Sequence, residues 1–401
     1  ASDSPAAPPA AAQSNSTSSP ASAPAIQPYD ETPEQALRRI TASGKIINTH
    51  EHVQGPTVEA DILKMMDTNG MAKVCLMGSS KFTLTLRESV GFTDYDVNNE
   101  AILQMQLSRP DRFEAWPTMD PMDPQRVEKV KSYVERGAKG VKLYIGHGYI
   151  RKDNGDYMFH TAAMDDPSLD PLFEYCEQNF VPICMHVNPY LKGFAQELVN
   201  VLTKHPDMKV NCPHFILSSI REERLMEFFD TFPNVYSDIS FGHDDFLREG
   251  MKRITKDTAK FKMLFNRYPN RFFFGTDLVL TDYEGKTPEW MQVRVQAYFD
   301  LLTKATYETP LLPGLPQRGL ELRGPILDNV LYKNFENFEA LKPKGTKITR
   351  QINWGNMGVE LVQRTPGQKF PPEPPKPKAP PAKKPFDPVG SINRDLRALP
   401  K

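Results

Sequence analysis

The stretch IINTHEHV (Ile46–Val53) sets two histidines one residue apart at the end of an apolar run. In an extended strand alternate side chains share a face, so His50 and His52 point one way and Glu51 the other. Two imidazoles aimed at one point suit a metal ion, but a strand end meeting solvent also accommodates such residues. The rest of the chain decides between these readings.

Seven further β-prone runs follow: AKVCLM (72–77), FEAWPT (113–118), KGVKLYI (139–145), VPICMHV (181–187), MKVNCPHF (208–215), VYSDIS (235–240) and RFFFGTD (271–277). Amphipathic, helix-prone segments separate them. VEADILKMMDTNG stops at Asn-Gly and QRVEKVKSYVERGAKG at a glycine, and three later segments stop at prolines. Eight strands alternating with helices predict a closed parallel (β/α)8 barrel, a TIM barrel. A doubly wound open sheet is the competing topology. No GxGxxG follows the first strand, which removes its dinucleotide-binding form.

Composition divides the 401-residue chain into three parts. Its 37 prolines crowd the two ends, and hydrophobic content is 39% overall. Residues 1–33 form an Ala/Ser/Pro-rich leader expected to be disordered, 34–341 the globular barrel, and 342–401 a Pro-rich, basic C-terminal extension. Thr32 and Pro33 read as the N-cap and first residue of a helix that opens the barrel. A net charge of −1 offers no field to recruit nucleic acid or anionic membranes, and no apolar run approaches a transmembrane length. The leader reads as the linker left after signal-peptide removal, so an exported protein, periplasmic or extracellular, is expected. The basic KPKAPPAKK tract offers a contact for a protein or surface partner. The NST at 15–17 has meaning as a glycosylation acceptor only in a eukaryotic secretory host.

In a parallel barrel the C-terminal strand ends converge on one rim, where active sites form. His50 and His52 end the first strand, His186 the fifth, His214 the sixth and Asp277 the eighth. Neutral imidazoles and a carboxylate are ligands for zinc, manganese or iron. Any one of them is explained as a polar strand cap; five on one rim form a set. Cys184 and Cys212 each lie two residues before a rim histidine and are read as barrel filling.

With these residues the chain resembles the amidohydrolase superfamily, and in particular its amidohydrolase-related branch, from about Lys45 to Leu341. The resemblance rests on HxH at 50–52, His186, His214, the PNRFFFGTD run ending at Asp277 and the following LDNVLYKNF. It implies that His50, His52, His186 and Asp277 hold one divalent metal per chain, with zinc first and manganese or iron as alternatives. It further implies that Asp277 takes a proton from a metal-activated water, and that His214 polarises the substrate or joins a second metal. Some relatives carry a carboxylated lysine on the fourth strand, which makes Lys142 the candidate for a second-metal bridge.

His147, Asn188 and His243 (with Asp244 and Tyr190 beside them) follow strands on the same rim and are candidates for substrate contact. His160 and His205 are expected at the surface. The functional expectation is a metal-dependent hydrolase of an amide, lactone or ester in a small molecule. The alternatives are a non-oxidative decarboxylase of a small aromatic or unsaturated acid, and a non-catalytic exported scaffold that uses its Pro-rich arms.

Overall fold

A computed structural model describes residues 31–79, 95–145, 148–150, 157–159, 163–189, 192–216, 221–280 and 285–358. The leader up to residue 30, the tail from 359, His147, His160 and Tyr190 lie outside them. Thr32 begins the described core as expected: it caps helix α1 (Pro33–Ser43) in a reciprocal pair with Gln35.

Eight parallel strands form the barrel. They are β1 (Ile46–Val53), β2 (Met71–Gly78), β3 (Phe113–Trp116, resumed at Thr118–Met119), β4 (Val141–Tyr144), β5 (Ile183–His186), β6 (Val210–Asn211), β7 (Val235–Asp238) and β8 (Phe272–Phe273). Strands β1 to β3 pair in order, and a second sheet runs from the resumed part of β3 through β4 to β8. The break in β3 falls at Pro117, which lacks a ladder N–H. Closure comes from the segment after β8: Thr49 N–H donates to the Phe274 carbonyl, Asp277 N–H to that of His50 and Leu280 N–H to that of His52. The predicted barrel is the observed one.

The helices that matter below are α2 (Glu59–Thr68), α3 (Tyr95–Ser108), α4 (Arg126–Glu135), α5 (Asp170–Gln178), α6 (Lys192–Lys204), α7 (Glu222–Thr231), α8 (Asp244–Lys256), α9 (Thr258–Arg267) and α10 (Pro288–Thr303). Among the described residues no helix is long and apolar enough to cross a membrane. All four cysteines are free and buried. Cys184 Sγ sits inside the barrel, 3.5 Å from Lys142 Nζ and 3.8 Å from Asn211 Nδ2, which agrees with its reading as filling.

Two expectations change. His205 is not a surface residue: it is buried, with Nδ1 3.3 Å from Glu177 and Nε2 3.5 Å from Asp170. The helix-ending sequence LTKHP gives no hint of the α5 carboxylates that receive it. The sixth strand is also far shorter than 208–215. It ends at Asn211, and after Pro213 the chain enters a left-handed turn in which His214, Phe215 and Ile216 have φ of 62°, 54° and 56°.

Beyond Leu341 the chain continues as an arm docked along α7. Arg350 pairs with Glu227, Asn353 N–H and Asn356 Nδ2 also donate to Glu227, and Arg224 Nε donates to the Met357 carbonyl. Glu227 and Arg224 are both buried by these contacts. Because α7 runs from the rim back to the barrel floor, the arm carries the chain from the floor up to the rim.

Candidate metal centre and active site

Four strands bring the predicted set together. His50 Nε2 and His52 Nε2 are 3.2 Å apart, and each is 3.8 Å from Asp277 Oδ1. His214 Nε2 lies 3.6 Å from Asp277 Oδ2, and the ligating atoms of His50, His214 and Asp277 fall within 4.8 Å of one another. His186 joins through ring contacts, 5.1 Å from the His214 ring and 5.5 Å from that of Tyr144. It is half-buried, whereas His50, His52, His214 and Asp277 are buried.

Hydrogen bonds set the tautomers. His50 Nδ1 is 3.0 Å from Asp238 Oδ2. A carboxylate accepts only, so Nδ1 carries the proton and Nε2 presents its lone pair. His214 Nδ1 is 2.9 Å from the Ser240 carbonyl, so its Nε2 is likewise a lone pair. His52 Nε2 lies 2.7 Å from the Tyr144 hydroxyl, which can donate or accept. Burial, reinforced by the Lys142 charge, depresses the His50 imidazole to about 3 and holds His52 well below its ordinary value. Burial also lowers His214. These rings are neutral near pH 7.

Burial pushes the Asp277 carboxyl up to about 8, with the Lys142 charge opposing and that of Asp238 adding to the rise. Its Oδ1 is buried without a hydrogen-bond partner among the described residues. Imidazole nitrogens and an unsatisfied carboxyl oxygen converging among buried side chains are the donor set of a divalent cation. The residues present fit one.

Asp238, at the end of β7, is the residue that sequence reasoning missed. Its Oδ2 accepts from His50 Nδ1 and from Asn211 Nδ2 at 2.9 Å. Its Oδ1 accepts from Ser240 N–H at 3.0 Å, His214 N–H at 3.3 Å and the Ser240 hydroxyl at 2.5 Å. Burial alone would raise this carboxyl, but the neighbouring His50 and these donors hold it well below the usual carboxylate range. One carboxylate thus orients both His50 and His214. Tyr144 was also missed. It lies two residues beyond Lys142, so the alternation that pairs His50 with His52 would have placed it inward.

Backbone conformation contributes to the aim. The three left-handed residues at 214–216 each cost roughly 1–2 kcal/mol. The turn is held by His214 N–H on Asp238 and by Ile216 N–H donating to Ser237 Oγ at 3.0 Å. Gly275 allows β8 to close on the site: a Cβ there would lie 3.1 Å from that of His50 and 3.2 Å from that of Asp238.

Lys142 is fully buried, its Nζ 3.3 Å from His50 Nε2 and 4.7 Å from the Tyr144 ring centroid. Asn188 is half-buried just beyond β5. His243 lies beyond β7, but its side chain is 70% exposed and caps α8 by accepting from Asp245 N–H. Glu51 is buried away from the ring cluster, bonded to Asn48 and to residues 276 and 278.

The sequence profile of the amidohydrolase family matches residues 78–308, more than half of the chain; the match begins beyond the HxH motif. No curated protein matches this sequence. Among solved structures, a Pseudomonas putida protein provisionally assigned as a 2-pyrone-4,6-dicarboxylic acid hydrolase aligns at 13% identity with a TM-score of 0.50, covering 75% of this chain and 99% of its own. A 2,6-dihydroxybenzoate decarboxylase from Rhizobium aligns at 14% identity with a TM-score of 0.46, covering 74% and 98%. A dihydroxybenzoic acid decarboxylase from Polaromonas sp. JS666, solved with bound manganese, aligns at 12% identity with a TM-score of 0.41, covering 75% and 98%.

Proposed function

Since the chain belongs to the amidohydrolase family, we propose that it is a metal-dependent hydrolase opening an amide, lactone or ester bond of a small molecule. The observation that carries this reading is the convergence of His50 Nε2 and His52 Nε2 on Asp277 Oδ1, within 3.8 Å, an oxygen with no hydrogen-bond partner among the described residues. His50, His52 and Asp277 would hold one divalent cation. His186 is the fourth ligand by family resemblance, and His214 Nε2 stands near enough to Asp277 to be weighed beside it. The donor types suit zinc first and accept manganese or iron. When bound, such a cation supplies Lewis acidity and lowers the pKa of a coordinated water to about 7.

The protein groups then divide the proton work. Asp277, beside the histidine pair and His214, accepts one at its carboxylate and returns it to the leaving group. His214, with Nδ1 tied to Ser240, can act only through Nε2. It accepts a proton there before it can donate to a developing oxyanion, a stricter condition than the sequence indicated. Lys142 places a buried amine 3.3 Å from His50 Nε2; we read the site as holding one metal, without a lysine bridge.

Asp277 also motivates a second reading. Decarboxylation replaces a carboxylate with a proton on carbon, and the buried Asp277 carboxyl beside the histidine rings is placed to carry that proton. A screen of lactones, amides, esters and aromatic acids against zinc- and manganese-loaded protein separates the two. The hydrolase reading expects acid release without carbon dioxide from at least one carbonyl substrate. Turnover confined to aromatic acids, with carbon dioxide evolved, would replace it by the decarboxylase.

A further inference from the structure

Glu51 stands between two proposed ligands, fully buried, and takes no part in the ring cluster. A bulge in β1 explains where it goes. Asn48 pairs with Val74 and Glu51 with Leu76, so three steps on β1 face two on β2. The extra residue brings Asn48 and Glu51 side by side while His50 and His52 keep facing the site. Asn48 Nδ2 donates to Glu51 Oε1 at 2.9 Å and to Thr276 Oγ1 at 2.8 Å. Glu51 Oε1 also accepts from the Thr276 hydroxyl, and Oε2 accepts from Leu278 N–H at 3.0 Å.

The two residues that Glu51 grips flank Asp277. That aspartate has φ of +47° and Val279 has +53°, so the strap after β8 is held in a conformation that non-glycine residues rarely adopt. The opposite side is tied as well: Lys286 Nζ donates to the carbonyls of Leu278 and Val279. Asp277 N–H and Leu280 N–H complete the attachment to β1. A strained strap persists only where its surroundings over-determine it, and here the buried Glu51 supplies one side-chain anchor on each side of the aspartate, beside Asn48 on Thr276 and Lys286 beyond.

We propose that Glu51 is a positioning residue, holding the Thr276–Leu278 strap so that Asp277 presents its free oxygen to the histidine pair. This rests on the metal-site reading above. The test uses the full chain with Glu51→Ala and Glu51→Gln. Mn2+ binding is measured by titration calorimetry and Leu278 amide exchange by hydrogen–deuterium mass spectrometry. The alanine variant is expected to lose Mn2+ affinity about 10–100-fold, the cost typical of removing a ligand's outer support, and to exchange the Leu278 amide at least about tenfold faster. Glutamine keeps one accepting oxygen, so it can serve Leu278 or the Asn48–Thr276 pair and recovers part of both losses. If alanine fails to fold, glutamine alone carries both measurements. Wild-type Mn2+ affinity and wild-type Leu278 exchange in the variants would overturn the proposal, including where only the urea midpoint falls. If the wild type takes up neither Mn2+ nor Zn2+, the metal reading fails; Leu278 exchange then decides for or against Glu51 by itself.

Discussion

Replacing Asp277 by Asn is expected to lower kcat by about 10²–10⁴-fold, the range for removing a positioned acid–base group, while the barrel stays folded. The substitution nearly preserves shape, and Oδ1 has no hydrogen-bond partner to lose among the described residues. What disappears is the ability to take and return a proton, together with one anionic donor. Two measurements separate those losses: kcat at saturating zinc, and zinc affinity. A variant that binds zinc less tightly but turns over normally once saturated would leave Asp277 a ligand and remove it as the base.

The second large effect is expected at Asp238, far from any sequence motif. Asp238→Ala removes the carboxylate acceptor of Asn211 Nδ2, the Ser240 and His214 amides and the His50 Nδ1–H at a buried site. Buried donors left without acceptors cost about 1–3 kcal/mol each, so the four affected here set an expected loss of at least about 4 kcal/mol in urea unfolding. Zinc affinity should also fall about 10–100-fold, since His50 is freed to rotate and to change tautomer. Asp238→Asn keeps one accepting oxygen and should lose less stability than alanine. Wild-type zinc affinity in a folded alanine variant would show that His50 is oriented by its strand alone.

The barrel was legible because each strand carries its own apolar run and each helix its own stop. The rim residues were legible because parallel strands end together, so position along a run translates directly into position in space. Asp238 satisfies the same rule at the end of VYSD, but a lone strand-end aspartate carries no ligand motif of its own, while the more conspicuous His243 has an exposed ring. Function there depends on a contact with β1, 188 residues earlier in the chain, and spacing within one strand cannot show a partner that closure supplies.

Glu51 illustrates the same limit. Simple alternation correctly turned it from the histidines, but its grip on the strap needs a bulge that no residue in IINTHEHV announces. The left-handed turn at His214 was hidden for a different reason. Pro213 predicts the end of β6, while the conformation after it is imposed by Ser237 and Asp238 on the neighbouring strand. The docked arm after Leu341 belongs here too, because its polar sequence packs through backbone groups received by Arg224 and Glu227.

The central claim is that the rim histidines and Asp277 hold a single divalent cation. Elemental analysis of the purified full chain, wild type against the His50→Ala/His52→Ala double variant, tests it before any substrate is known. The expected result is one zinc, manganese or iron per wild-type chain and essentially none in a folded double variant. Equal metal content in the two proteins, or none in a wild type equilibrated with zinc and manganese, would contradict it.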